Sequence, residues 1–148
     1  EQKRVFSMIP ALRNAEFVRY GVMHRNTFLD SPRLLDATYA LKAEPRIRFA
    51  GQMTGVEGYI ESTASGWVAG VAAAMEVLGR PMPQLDRFTA VGALASYISD
   101  HTVTKFQPMN INFGIIEPLG YKIKGKREKN AKISERALER IESLKGEL

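Results

Sequence analysis

Apolar and polar positions alternate along the chain in a way that predicts short elements first and longer helices later. Val5, Phe6 and Ile9 recur at helical spacing over residues 2–9, and Pro10 closes that short helix. Glu16–Val22 mixes aromatic and β-branched residues and reads as a strand. A polar turn at His24–Asn26 and a break at Ser31-Pro32 follow. Leu35–Leu41 alternates loosely and reads as a second strand, with a helix as the alternative. Glu44-Pro45 marks a turn, and Arg46–Ala50 is a third strand. There Arg46 and Arg48 alternate with Ile47 and Phe49, so one face meets solvent or a charged partner.

The longest predicted helix runs from about Val56 to Leu78, with its start near Thr54. Thr54 and Glu57, three residues apart, read as a capping box. Gly58, Ser62, Gly66, Gly70 and Ala74 form one stripe at four-residue spacing, which suits tight packing on a parallel sheet. Trp67 and Val71 lie off that stripe and are expected in the core. Gly79 ends the helix, and Pro81 and Pro83 keep it from restarting. Thr89–Ser99 is an amphipathic helix with Leu94, Tyr97 and Ile98 apolar. Phe106–Pro118 reads as extended chain. Lys129–Leu144 reads as a surface helix with Ile133, Ala137, Ile141 and Leu144 on one stripe, an attractive Glu128–Lys132 pair and a repulsive Glu135–Glu139 pair. The order is α/β, with strands in the first half and helices in the second, and the Pro-containing stretch 79–87 is the one credible internal boundary.

Composition narrows the chemistry. A chain of 148 residues, 45% hydrophobic and 25% charged, can bury one core. It contains no cysteine, which excludes disulfides, thiolate metal sites and a cysteine nucleophile within it. His24 and His101 have no ligand-like spacing, so no metal is expected. The charge-free run Ser62–Met75 is too short to span a bilayer, and no signal-peptide pattern opens the chain. The expected location is the cytoplasm, with no membrane partner.

Net charge is +5, and residues 119–148 hold nine Lys or Arg against five Glu. Lys122, Lys124, Lys126, Arg127, Lys129 and Lys132 form a cluster that suits a phosphate backbone. Composition by itself favours a solvated tail. GYKIKGK at 120–126 follows a phosphate-loop pattern until Arg127 stands where a Ser or Thr is required, so it is read as chance.

The densest chemistry lies in Arg46–Gly66, RIRFAGQMTGVEGYIESTASG. A β-type run stops at Gly51, and Gly51, Gly55 and Gly58 space a loop that opens into the small-residue helix. Free amide N–H groups and the positive end of a helix dipole converge at such a junction. Missing Cβ atoms let an anion or the electron-rich edge of a cofactor come close. The spacing is not GxGxxG, and many α/β proteins carry unliganded units of this kind.

The wording of this stretch goes further. FAGQMTGVEGYIESTASGWVAG resembles the C-terminal flavin-contacting segment of the folate- and FAD-dependent tRNA (uracil-5-)-methyltransferases. EQKRVFSMIPALRNAEFVRYGVMHRNTFLDSP at 1–32 and FQPMNINFGIIEPL at 106–119 resemble the same family, in order. A sister family, the FAD-dependent tRNA wobble-uridine carboxymethylaminomethyl-modifying enzymes, shares the AGQ…G…GY theme but not the YGVMHRNTF run.

The resemblance implies an α/β fold in which residues 1–79 are the C-terminal part of an FAD/NAD(P)-binding Rossmann-type domain and 80–148 a mostly helical extension with a basic tail. Family members begin with a strand–GxGxxG–helix unit for the ADP half of FAD. That unit is absent here, so the chain is expected to be the C-terminal portion of a longer enzyme, with the N-terminal remainder as a partner and the family's cysteines located there. By itself the portion is expected to be inactive. The implied reaction is methylation of a T-loop uridine of tRNA to 5-methyluridine, with methylenetetrahydrofolate as carbon donor, reduced FAD as hydride source and NAD(P)H as reductant.

The same resemblance assigns roles. Gly51, Gln52, Thr54, Gly55, Val56, Glu57 and Gly58 would bind the cofactor, with the Gln52 amide on the flavin's ribityl hydroxyls. His24, Arg25, Asn26 and Tyr59 would wall the folate pocket, and Tyr59 and His24 would support methyl transfer. Glu57 is read as a capping residue rather than a general base. Lys122, Lys124, Lys126 and Arg127 would meet tRNA phosphates. A non-catalytic basic RNA-binding module is the alternative, and oligomeric state stays open.

Overall fold

Sequence-remote segments meet at the centre of this chain, in a computed structural model that describes residues 1–21 and 26–147. The first helix, α1 (Gln2–Ser7), is followed by a 3₁₀ turn at Pro10–Leu12. The strand expected over Glu16–Val22 does not form among the described residues. Its aromatic side chains instead fold back: Phe17 stacks on Phe6 at 5.2 Å between ring centroids and on Tyr20 at 5.1 Å. The Gln2 side chain exchanges two 3.1 Å hydrogen bonds with the Gly21 backbone. These contacts satisfy the segment without a neighbouring strand.

The Ser31-Pro32 break is the start of a short helix, α2 (Ser31–Leu34), with proline in its first turn. Leu35–Leu41 is not one strand. Asp36 turns it, its carboxylate accepting from Thr38 N and Thr38 Oγ1 at 2.7 Å and from Ala40 N at 3.1 Å. Leu35 then bridges Leu41 across the turn, and Tyr39 sits buried with φ +63°. Only β1 (Ala40–Leu41) and β2 (Glu44–Arg48) pair, antiparallel and with a bulge. Glu44-Pro45 lies inside β2 rather than in a turn, since an edge strand tolerates proline. The arginine face of β2 finds its charged partners, Arg46 with Glu44 at 2.9 Å and Arg48 with Glu76 at 2.5 Å.

Helix α3 (Tyr59–Val77) carries Glu76. Its buried positions are Ser65, Val68, Ala69, Ala72 and Met75. The glycine stripe points elsewhere: a Cβ built at Gly66 or Gly70 meets nothing within 4 Å. The expected packing of that stripe on a parallel sheet is therefore absent among the described residues, and the buried face is the neighbouring one, while Ile60, Trp67 and Val77 stay exposed. Trp67 is 44% exposed rather than core, at the rim of a 240 Å³ cavity lined by Met82, Pro83, Leu85, Ile141 and Leu144.

Helix α4 (Ala90–Ser99) is capped by Thr89, whose hydroxyl oxygen accepts from Gly92 N at 2.9 Å. Leu94, Ala95 and Ile98 join Leu35, Tyr39, Val56 and Val68 in one core cluster that draws on both sides of Gly79. Helix α5 (Lys126–Leu144) begins three residues before the expected Lys129, since Gly125 at φ +97° turns the chain into it. Arg136 holds it down by donating to the carbonyls of Glu117 and Pro118, with its guanidinium 4.6 Å from the Phe88 ring centroid. Lys132 pairs with Glu135 at 2.6 Å, not with Glu128. Among the described residues no helix is long and apolar enough to cross a membrane.

Candidate functional site

Between β2 and α3 the chain makes a 3₁₀ turn, Gly51–Thr54, and then two glycine corners before the helix. Gly55 closes the turn at φ +85°, and Gly58 caps α3 at φ +93°. Both angles favour glycine. The predicted capping box does not form. Two left-handed residues separate Thr54 from the helix, and the Thr54 hydroxyl donates to Gly51 O at 2.7 Å instead. Glu57 lies before the helix, and its backbone N–H donates to Met109 O at 3.0 Å.

That last bond belongs to a parallel bridge between Val56 and Met109, completed by Met109 N donating to Gly55 O at 3.1 Å. A Cβ at Gly55 would overlap the edge of the Phe106 ring at its Cζ, and Phe28 meets the same ring edge-on at 6.0 Å. Leu29 N donates to Met53 O at 2.8 Å. Ser31 Oγ donates to Thr54 O at 2.8 Å. Residues 26–31, 51–58 and 106–112, far apart in sequence, thus converge on one junction.

The side chains divide into supports and exposed groups. Thr54 and Val56 are wholly buried, and Gly51 N donates to Ser65 Oγ at 2.7 Å. These atoms hold the loop from within. Gln52 is exposed, and Tyr59 and Ile60 on the first turn of α3 are 94% and 81% exposed. The amides at the start of α3 have no intrahelical partner, and the helix dipole adds positive potential beside them. Glu61 reaches from the same turn to the other segment, its Oε1 accepting from Ile111 N at 3.2 Å and Asn110 Nδ2 at 3.4 Å.

Of the residues singled out from sequence, Gly51, Gln52, Thr54, Gly55, Val56, Glu57, Gly58 and Tyr59 form one continuous junction. Asn26 is exposed at the start of the neighbouring segment, while His24 and Arg25 lie outside the described residues. Lys122 and Lys124 are exposed in the loop before α5. Lys126 and Arg127 occupy the first turn of α5, where their charge opposes the positive end of the helix. Among the described residues no group of three or more His, Asp or Glu could hold a metal ion. Sequence reasoning does not reach Ser31, Glu61, Ser65 or Asn110. A glutamate in a helix's first turn was the available signal for Glu61, but nothing local shows a partner 49 residues away.

Residues 1–81 match the family of glucose inhibited division protein A. Over 138 residues the chain is 61% identical to the methylenetetrahydrofolate–tRNA-(uracil-5-)-methyltransferase TrmFO of Acetivibrio thermocellus, covering 93% of this chain and 32% of that protein. The protein of the same description from Lactiplantibacillus plantarum is 57% identical over 147 residues, 99% of this chain and 33% of the relative. That from Listeria monocytogenes is 54% identical over 148 residues, 100% and 34% respectively. The chain therefore spans about a third of the length of the curated relatives it matches.

Proposed function

Because the chain belongs to the glucose inhibited division protein A family, we propose that it forms part of a flavoenzyme that methylates a T-loop uridine of tRNA at C5. The observation that carries this reading is the junction itself. Three segments resembling such methyltransferases meet at a helix N-terminus beside which Gln52, Tyr59 and Ile60 are exposed. Relatives at 54–61% identity, all described as uracil-5-methyltransferases, support C5 methylation over wobble-uridine modification.

The junction fits the pyrimidine end of a flavin. Gly51–Gly58 completes an FAD-binding, Rossmann-type unit whose other strands lie elsewhere. Gln52 and the exposed amides at the start of α3 bond the cofactor, and the dipole of α3 favours negative charge there. Gly51, Thr54, Gly55, Val56, Glu57 and Gly58 shape the loop that presents those groups. A bound flavin supplies hydride at this place, with methylenetetrahydrofolate as the carbon donor and NAD(P)H as reductant. Tyr59 offers a hydroxyl beside the reacting groups. The resemblance assigns His24, Arg25 and Asn26 to folate binding.

The basic segment carries tRNA. Lys126 and Arg127 share the first turn of α5 with a single acid, Glu128, and Lys122 and Lys124 add exposed positive charge in the loop before it, a balance that suits a phosphate backbone. The test is direct: purify the full-length protein, record its visible absorbance, and analyse tRNA nucleosides by mass spectrometry after incubation with methylenetetrahydrofolate and NAD(P)H. Flavin absorbance with folate-dependent 5-methyluridine is the expected result. A colourless protein that still binds tRNA refutes the flavoenzyme and leaves a basic RNA-binding module.

A further inference from the structure

Glu61 links the two halves of the junction. It stands at the third position of α3, and its Oε1 accepts from Ile111 N at 3.2 Å and from Asn110 Nδ2 at 3.4 Å. The Val56–Met109 bridge fixes the second segment only as far as Met109. Beyond it, Glu61 catches the next two residues. Gly58 keeps the space for this contact: a Cβ there would overlap Glu61 Oε2 and lie 2.7 Å from Asn110 Nδ2. Among the described residues, the amide of exposed Asn110 is left with its Oδ1 and one N–H beside the first turn that presents Tyr59.

We propose that Glu61 is a positioning residue of the methyl-transfer site, acting through Asn110, an assignment that rests on the flavoenzyme reading above. Its carboxylate holds the Met109–Asn112 segment in register with the glycine loop, so that the Asn110 carboxamide is fixed at the mouth of the site. A carboxamide pairs donor to acceptor and acceptor to donor with a lactam edge, the group that uracil, pterin and flavin rings share. Glu61 also has a plainer role, an acid in the first turn of a helix, where charge stabilises the dipole. Substitution separates the two. Both hydrogen bonds go to one oxygen, so Glu61→Gln keeps positioning and removes charge, whereas Glu61→Ala removes both.

The experiment compares wild type, Glu61→Gln, Glu61→Ala, Asn110→Ala and the double alanine variant in the full-length protein. Hydrogen exchange at the Ile111 amide is read beside flavin occupancy and the kinetics of methyl transfer. Glu61→Ala is expected to speed Ile111 exchange and to lower kcat on the order of 10- to 100-fold with flavin occupancy unchanged, the range for a misplaced group at a reacting centre. Asn110→Ala matches it, the double variant is no worse, and Glu61→Gln stays near wild type. A larger KM for folate than for tRNA in Asn110→Ala assigns the lactam edge to the pterin, and the reverse assigns it to the uracil.

Glu61→Gln as damaging as Glu61→Ala, or losses that multiply in the double variant, overturns positioning through Asn110. Unchanged Ile111 exchange in Glu61→Ala overturns it independently of turnover. A parent without flavin or methyl transfer refutes the enzyme reading and the catalytic half of this assignment, while the Ile111 amide still decides whether Glu61 holds the segment.

Discussion

The Ser31 hydroxyl donates a 2.8 Å hydrogen bond to the Thr54 carbonyl at a place where both residues are wholly shielded from solvent. It ties the start of α2 to the underside of the glycine loop. Ser31→Ala leaves that carbonyl unpaired in the interior and is expected to destabilise the protein by about 1–3 kcal/mol. Chemical denaturation of the two proteins checks this, and equal midpoints would show that the bond has no net value.

The glycines of the loop and those of α3 differ in what they permit. At Gly55 an alanine carries about 1–2 kcal/mol of left-handed strain, to which displacement of the Phe106 ring adds about 1–3 kcal/mol. At Gly66, where an added Cβ meets nothing, alanine is expected to stabilise this chain by about 0.5–1 kcal/mol. Urea midpoints moving in opposite directions are the expected result.

Tyr39 gives stability an alkaline limb. Burial holds its phenol well above the ordinary tyrosine range, so the folded state keeps a proton that the unfolded chain releases near pH 10. Stability from this group is complete below that pH and falls as pH rises above it, because the folded state there binds more protons than the unfolded one. Melting temperatures between pH 9 and 11 are expected to drop less steeply in Tyr39→Phe than in wild type.

Neutralising Lys122, Lys124, Lys126 and Arg127 together is expected to weaken tRNA binding by the full-length protein. Its salt dependence should flatten by about 0.7–0.9 in log–log slope for each phosphate that the protein no longer neutralises. Helicity of α5 should hold or rise, since two cations leave its positive end. Filter binding across a salt series, with circular dichroism alongside, measures both effects.

The helices were legible wherever apolar spacing and caps were local. The helix read over Thr89–Ser99 forms as Ala90–Ser99, with Thr89 as its cap rather than its first residue. Thr54 and Glu57 have the right spacing too, but Gly55 and Gly58 take left-handed angles that end one turn and start another. Only the helix at Tyr59 survives that interruption. Glu16–Val22 has strand composition, yet Phe17 satisfies its packing on Phe6 and Tyr20 without a strand partner. The stripe at Gly58, Ser62, Gly66 and Gly70 has a helical period, but period does not say which face is buried. The buried face carries Ser65, Val68, Ala72 and Met75, and side-chain size does not mark it either, since Trp67 and Val77 are exposed. The candidate site was legible as a glycine loop opening into a helix. Its closure by Met109, Asn110 and Ile111 was not, because pairings some fifty residues apart leave no periodic trace.

Tyr59→Phe tests the central claim most directly. Tyr59 is 94% exposed on the first turn of α3, so losing its hydroxyl should leave folding and flavin occupancy intact. In the full-length protein, folate-dependent 5-methyluridine formation per bound flavin is predicted to fall at least about 100-fold, the lower range for a positioned group that assists proton movement. Turnover equal to wild type at equal flavin content would contradict the site assigned here.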